Sequence, residues 1–182
     1  MFNMKFSFRK ILVIWIGIFL IGCGRSGNDL EKNRPDPTSL ANINEVRVTH
    51  LDLNLDVIFE QKQLRGVAEL HIDNLTGTDQ LILDTQDLTI HNVTLGAEEQ
   101  STSYQFGDSV RFYGTPLIIE ISSTTRVVNV YYSTSPDAQA LQWVQPAQTA
   151  QKTDPYLYSQ SQFILARSWI PCQDSPGVRM TY

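Results

Sequence analysis

From Val46 onward the apolar residues recur at every second position, and this period limits the fold more than any other feature of the chain. Leu51, Leu53, Leu55, Val57 and Phe59 alternate with Asp52, Asn54, Asp56 and Ile58. One face is apolar and the other mostly polar, the pattern of a half-buried antiparallel strand. Glu60-Gln61-Lys62-Gln63 turns the chain, and Leu64, Gly66, Ala68, Leu70 and Ile72 resume the alternation, giving a long hairpin. Asn74 to Asp79, with Gly77 inside, has turn chemistry. Further short strands follow around Leu81 and Leu83, around Leu117, Ile119 and Ile121, and around Val128, Val130 and Tyr132. Leu88 and Ile90 have one parity and Val93 and Leu95 the other, so a β-bulge is predicted at His91-Asn92. Tyr104 and Phe106, then Val110 and Phe112, flank Gly107-Asp108 as a second hairpin. No window carries a helical stripe of useful length. The predicted class is all-β: antiparallel sheets in a sandwich or an open, saddle-like pair.

The chain begins differently. Lys5, Arg9 and Lys10 precede the apolar run Ile11 to Gly22, which is shorter than the roughly 20 residues a membrane span needs. This fits a signal peptide. Leu20-Ile21-Gly22-Cys23 resembles the bacterial lipobox, which implies cleavage after Gly22 and lipid on Cys23. A secretory signal with a chance cysteine, or a retained anchor helix, are the other readings. Residues 1–22 are thus assigned to a lipoprotein signal peptide, 23–44 to a flexible tether rich in Gly, Ser, Asn, Asp and Pro, and 45–182 to the β-domain. The expected location is extracytoplasmic, on a membrane held through Cys23.

Composition narrows the partners. The 182 residues carry 14 Lys+Arg and 19 Asp+Glu. Without the three cations of the first ten residues the balance is 11 − 19 = −8, which argues against a nucleic-acid partner. Apart from Cys23 the only cysteine is Cys172, read as a small packed hydrophobe. His50, His71 and His91 lie in separate strands. A zinc site would require them to converge with a carboxylate, so they are read as surface or cross-strand residues and no metal site is assigned.

The last forty or so residues are more specific. They contain Tyr156-Leu157-Tyr158-Ser159-Gln160-Ser161-Gln162, Arg167-Ser168-Trp169-Ile170-Pro171 and Gln173-Asp174-Ser175-Pro176. With Leu51-Asp52-Leu53 and Leu81-Ile82-Leu83-Asp84-Thr85, these motifs resemble the N-terminal domain of zinc aminopeptidases of the alanyl aminopeptidase type, in the branch of aminopeptidase B and leukotriene hydrolase. The resemblance covers roughly residues 45–182. It implies a saddle-shaped β-domain capping a catalytic cleft, in which Gln162 and Gln160 contact the N-terminal end of a peptide substrate. A glutamine carbonyl is a suitable acceptor for an α-ammonium, and alternation on a strand would place both side chains on one face. Arg167, Asp174 and the prolines are read as structural, with an Arg167–Asp174 ion pair open.

The family's His-Glu-x-x-His helix, distal glutamate ligand, Gly-x-Met-Glu-Asn loop and tyrosine do not occur here. No catalytic residue and no cofactor are therefore assigned to this chain. Val178 to Tyr182 reads as the start of a strand, so the β-domain is expected to be incomplete at its C-terminal end. Zinc is expected in a catalytic domain beyond it. The alternative is a free-standing, non-catalytic β lipoprotein that binds a peptide or protein partner; a diverged parent without zinc is a third reading.

Overall fold

A computed structural model describes residues 36–182. The signal peptide, Cys23 and the first part of the tether lie outside the described residues. Ten strands follow in order: β1 (Val46–Ile58), β2 (Gln63–Asn74), β3 (Gln80–Thr85), β4 (Thr89–Leu95), β5 (Gln100–Ser101), β6 (Tyr104–Phe106), β7 (Thr115–Glu120), β8 (Val127–Ser133), β9 (Leu141–Val144) and β10 (Tyr156–Ser159). Two single-turn 3-10 segments, Pro146–Gln148 and Ala166–Ser168, are the only helical elements among the described residues. The all-β antiparallel class read from the alternation is the class observed.

Three sheets form: β1-β2-β8-β4-β5, β3-β7-β6 and β10-β9. The first two close on a common core. Val46, Val48, Leu51, Ala68, Leu70, Ile72, Val93, Val128, Val130 and Tyr132 come from the larger sheet, and Leu81, Leu83, Leu117 and Ile119 from the smaller. The two-stranded sheet sits over a second, smaller cluster of Leu64, Ala138 and Leu141, with Trp143 and Leu157 against it. Trp169 packs on both clusters and joins them.

The long hairpin forms in the expected register, with Leu51 opposite Leu70 and Val57 opposite Leu64. Gly66 is required there, because a Cβ would lie 2.0 Å from the Asn54 carbonyl oxygen. The register shifts between Val48 and His50. This bulge at Thr49 keeps Val46, Val48 and Leu51 all inward, although they do not share one parity. The bulge predicted at His91 is also present, between Ile90 and Asn92.

Two expectations are corrected. Val110 and Phe112 do not form a hairpin arm: Tyr104–Phe106 pairs with β7 instead, and Phe112 sits in the intervening loop, 75% exposed. That loop closes on itself through mutual Val110–Gly114 backbone hydrogen bonds, with Gly114 at φ +79°. The tether also ends earlier than position 44. From Asp36 the chain is held to the domain. Leu40 N donates to Asp84 Oδ1 (2.7 Å), Ile82 N to Asn42 Oδ1 (2.9 Å), and Ile43 is buried. A polar composition suggested a tether, but these polar groups are satisfied by the edge of β3.

The most heavily bonded group in the interior is Arg167, which is fully buried. Its Nε donates to Asp174 Oδ2 (3.1 Å), its Nη1 to the Tyr113 carbonyl (2.8 Å), and its Nη2 to the Thr38 and Asp174 carbonyls (2.7 and 3.0 Å). The second carboxylate, Asp84, lies 3.7 Å from Nη1. Burial pushes the Asp84 carboxyl up, against hydrogen bonds from Ser39, Leu40 and Asp174 and the charge of Arg167. Nearby, Gln173 replaces a neighbouring strand for β1: its Oε1 accepts from Val48 N (3.0 Å) and its Nε2 donates to the Val46 carbonyl (2.8 Å).

Removing one partner of a buried ion pair leaves the other charge uncompensated. Arg167→Met is expected to cost about 3–5 kcal/mol, read as a lower urea midpoint with an unchanged slope. Asp36 behaves differently. Burial raises its pKa, but hydrogen bonds from Ser175 and Thr38 and the charge of Arg167 outweigh that and hold it below 3.8. A depressed carboxyl contributes stability above its unfolded pKa and loses it as pH falls through the folded value. Asp36→Asn is therefore expected to be less stable than wild type at pH 7, and the gap should close on acidification below pH 3.8, as followed by thermal unfolding.

Candidate functional site

The glutamines read as substrate contacts lie just past the end of β10, which pairs with β9 from Tyr156–Val144 to Ser159–Leu141. Gln160 N donates to the Ala140 carbonyl (2.8 Å), one step beyond the last pair. The chain then turns. Gln160 and Gln162 are both exposed, but they stand on a loop and do not share a strand face. The Gln160 carboxamide oxygen lies 3.4 Å from Gln162 N, so the first glutamine partly stabilises the turn that carries the second.

The loop has a firm seat. Trp169 Nε1 donates to Ser161 Oγ (2.9 Å), and Leu165 N to the Ser161 carbonyl (3.0 Å). Ser168 Oγ donates to the Leu165 carbonyl (2.7 Å) and accepts from Ala140 N (3.1 Å). Ile164 holds φ +58°, uncommon for a β-branched residue and of the kind that collects at binding sites. Tyr156, Tyr158 and Phe163 are exposed beside the glutamines. An open hollow of about 450 Å³ lies at the other end of the β9–β10 hairpin, lined by Val144, Gln148, Thr153, Pro155 and Tyr156. It includes neither glutamine.

Between positions 154 and 170 there is no His, Cys or Glu, and Asp154 is the sole carboxylate. This surface offers amide and hydroxyl groups for a polar ligand, not a ligand set for zinc. Cys172 is buried, and burial first, then Asp174 and Asp84, push its thiol well up, which suits the packing role read from sequence.

The histidines are surface and cross-strand residues, as read from sequence, and two of them also meet carboxylates. His91 stands apart, with Nε2 3.0 Å from Ser133 Oγ. His50 and His71 pair directly across the β1–β2 hairpin, and Asp52 and Glu69 are the next pair on the same face. Asp52 Oδ2 lies 3.1 Å from His50 Nε2 and 3.7 Å from His71 Nε2, and Glu69 Oε1 lies 3.1 Å from His71 Nε2. The signal was present in sequence: both pairs are equidistant from the turn at Glu60-Gln61.

Residues 47–182 match the Peptidase M1 N-terminal domain. The chain therefore belongs to the M1 peptidase family and forms its N-terminal β-domain. It is 39% identical over 153 residues to leukotriene A-4 hydrolase of Xenopus laevis, covering 81% of this chain and 25% of that protein. It is 36% identical to leucine aminopeptidase 2 of Aspergillus fumigatus, covering 80% and 25%. Yeast LTA4 hydrolase, solved with bestatin, superimposes with a TM-score of 0.73 at 31% identity, covering 84% of this chain and 25% of that one. An M1 zinc metallopeptidase of Deinococcus radiodurans shares the fold, with a TM-score of 0.55 at 16% identity over 75% of this chain and 31% of that one. The chain spans about a quarter of the length of the curated relatives it matches.

Proposed function

We propose that this chain is the N-terminal cap of a zinc aminopeptidase anchored outside the cytoplasm by lipid on Cys23, and that Gln162, assisted by Gln160, receives the α-ammonium of a peptide substrate. The observation that carries the reading is the Gln160–Gln162 loop itself: exposed, fixed to Trp169 and Ala140, and seated in a domain of the M1 family. Gln162 is the primary contact, because Gln160 already spends its oxygen on the turn. The carboxamide oxygen of Gln162 accepts one ammonium N–H, while Tyr158 and Phe163 offer apolar surface beside it. The zinc carried by relatives supplies hydrolysis in the reading proposed, from a second domain that completes the cleft; the loop itself has no ligands for it. Cys23 and its lipid support the location through the lipobox alone.

A hydrogen bond to a charged group contributes about 1.5–3 kcal/mol. In the polypeptide that joins this cap to a catalytic domain, Gln162→Ala is expected to lower kcat/KM for an aminoacyl anilide by about 10–100-fold with unchanged thermal stability. An unchanged kcat/KM would remove Gln162 from the site. Radiolabelled palmitate should be incorporated in bacterial cells and lost in Cys23→Ser; equal labelling of both would sink the anchor.

A further inference from the structure

We propose that the solvent face of the β1–β2 hairpin is a binding site for a zinc-class divalent cation, with His71, Asp52 and Glu69 as its ligands and His50 beside them. The site is separate from the glutamine loop and does not rest on the function proposed above.

Three of these residues can each offer a ligand atom with all three atoms within 4.8 Å of one another: Asp52, Glu69 and His71. Tetrahedral zinc with bonds of about 2.0–2.1 Å sets its ligand atoms about 3.3 Å apart. The observed separations of His71 Nε2 from Glu69 Oε1 (3.1 Å) and from Asp52 Oδ2 (3.7 Å) bracket that value. His50 flanks the group from the strand partner position, its ring centroid 5.3 Å from that of His71. An imidazole with two carboxylates forms a donor set suited to zinc rather than calcium or magnesium, which favour oxygen alone.

A positioning contact strengthens the case. Ligating carboxylates are themselves oriented by hydrogen-bonding neighbours. Here His50 Nδ1 lies 2.6 Å from Thr181 Oγ1, leaving Nε2 3.1 Å from Asp52 Oδ2, where it orients that carboxylate. Thr181 is itself fixed by backbone hydrogen bonds to β1, from Leu51 N to its carbonyl and from its own N to the Thr49 carbonyl, both 3.0 Å. The Thr49 bulge sets this face, because in an unbulged strand His50, two residues after Val48, would share its inward parity. The side chains are 34–61% exposed, so an ion reaches them directly from solvent.

The test is titration of the whole 182-residue chain with Zn²⁺ against a chromophoric chelator, in a Cys23→Ser background so that the one remaining thiol is buried Cys172. One equivalent is expected to bind. His71→Gln and Glu69→Gln should each weaken binding by at least about tenfold, His50→Gln by about 10–100-fold, and His91→Gln not at all. Co²⁺ should give the strong visible absorption of a tetrahedral site, lost in His71→Gln. Glu69→Gln, a half-exposed conservative change, keeps the test valid if His71→Gln fails to fold. Absence of one-to-one saturation, or equal affinity in the Glu69→Gln and His91→Gln proteins, would overturn the proposal.

Discussion

The arrangement depends on one buried guanidinium. Arg167 binds carbonyls from residues 38 and 113 and both the carboxylate and carbonyl of Asp174, while Asp84 faces it from β3. It thereby ties the segment before the first strand, the smaller sheet and the loop after β10 into one unit. A planar fork with five donors can meet partners in several directions at once; an ammonium on a flexible stem cannot do so with the same geometry. Burying such a charge is costly, and the cost is tolerable only because the carboxylates and carbonyls around it are already positioned. The same network carries the glutamine loop. Arg167 and Ser168 belong to the 3-10 turn that closes the loop, and Trp169 follows immediately with its bond to Ser161.

Much of the fold was legible because a half-buried strand writes its orientation into every second residue. The long hairpin, the bulge at His91 and the all-β class followed from parity alone. The bulge at Thr49 did not, since polar Thr49 and His50 blur the point where parity changes. The loop at 107–114 misled for a related reason: Val110 and Phe112 alternate like a strand, yet Val110 pairs only with Gly114 inside its own loop, and local alternation does not make a strand. The early end of the tether was hidden because Asp36, Ser39 and Asn42 are polar in composition but act as fixed hydrogen-bonding groups. Sequence shows that they are polar and not what they meet.

The candidate surface was legible in identity and not in geometry. The motif around Gln160 and Gln162 identified the residues, but strand alternation gave the wrong support for them, because β10 stops at Ser159. The histidines show the opposite case. Each was visible, and the carboxylates beside them were visible, but their convergence requires the hairpin register to be counted outward from its turn. Spacing along the chain, which serves for helical metal motifs, gives no hint when ligands face each other across two strands.

The side chain of Gln173 occupies hydrogen-bonding positions on β1 that lie 125 and 127 residues earlier in the chain, and Arg167 reaches back 129 residues to Thr38. These closures cannot occur until almost the whole domain has been synthesised. A nascent chain that has already formed the β1–β2 hairpin therefore carries an open edge throughout translation of the remaining strands. Non-local closure of this kind folds slowly and leaves unpaired edges exposed meanwhile. For this domain the vulnerable interval is set by the order of synthesis, and it lasts at least until Gln173 and then Thr181 reach β1.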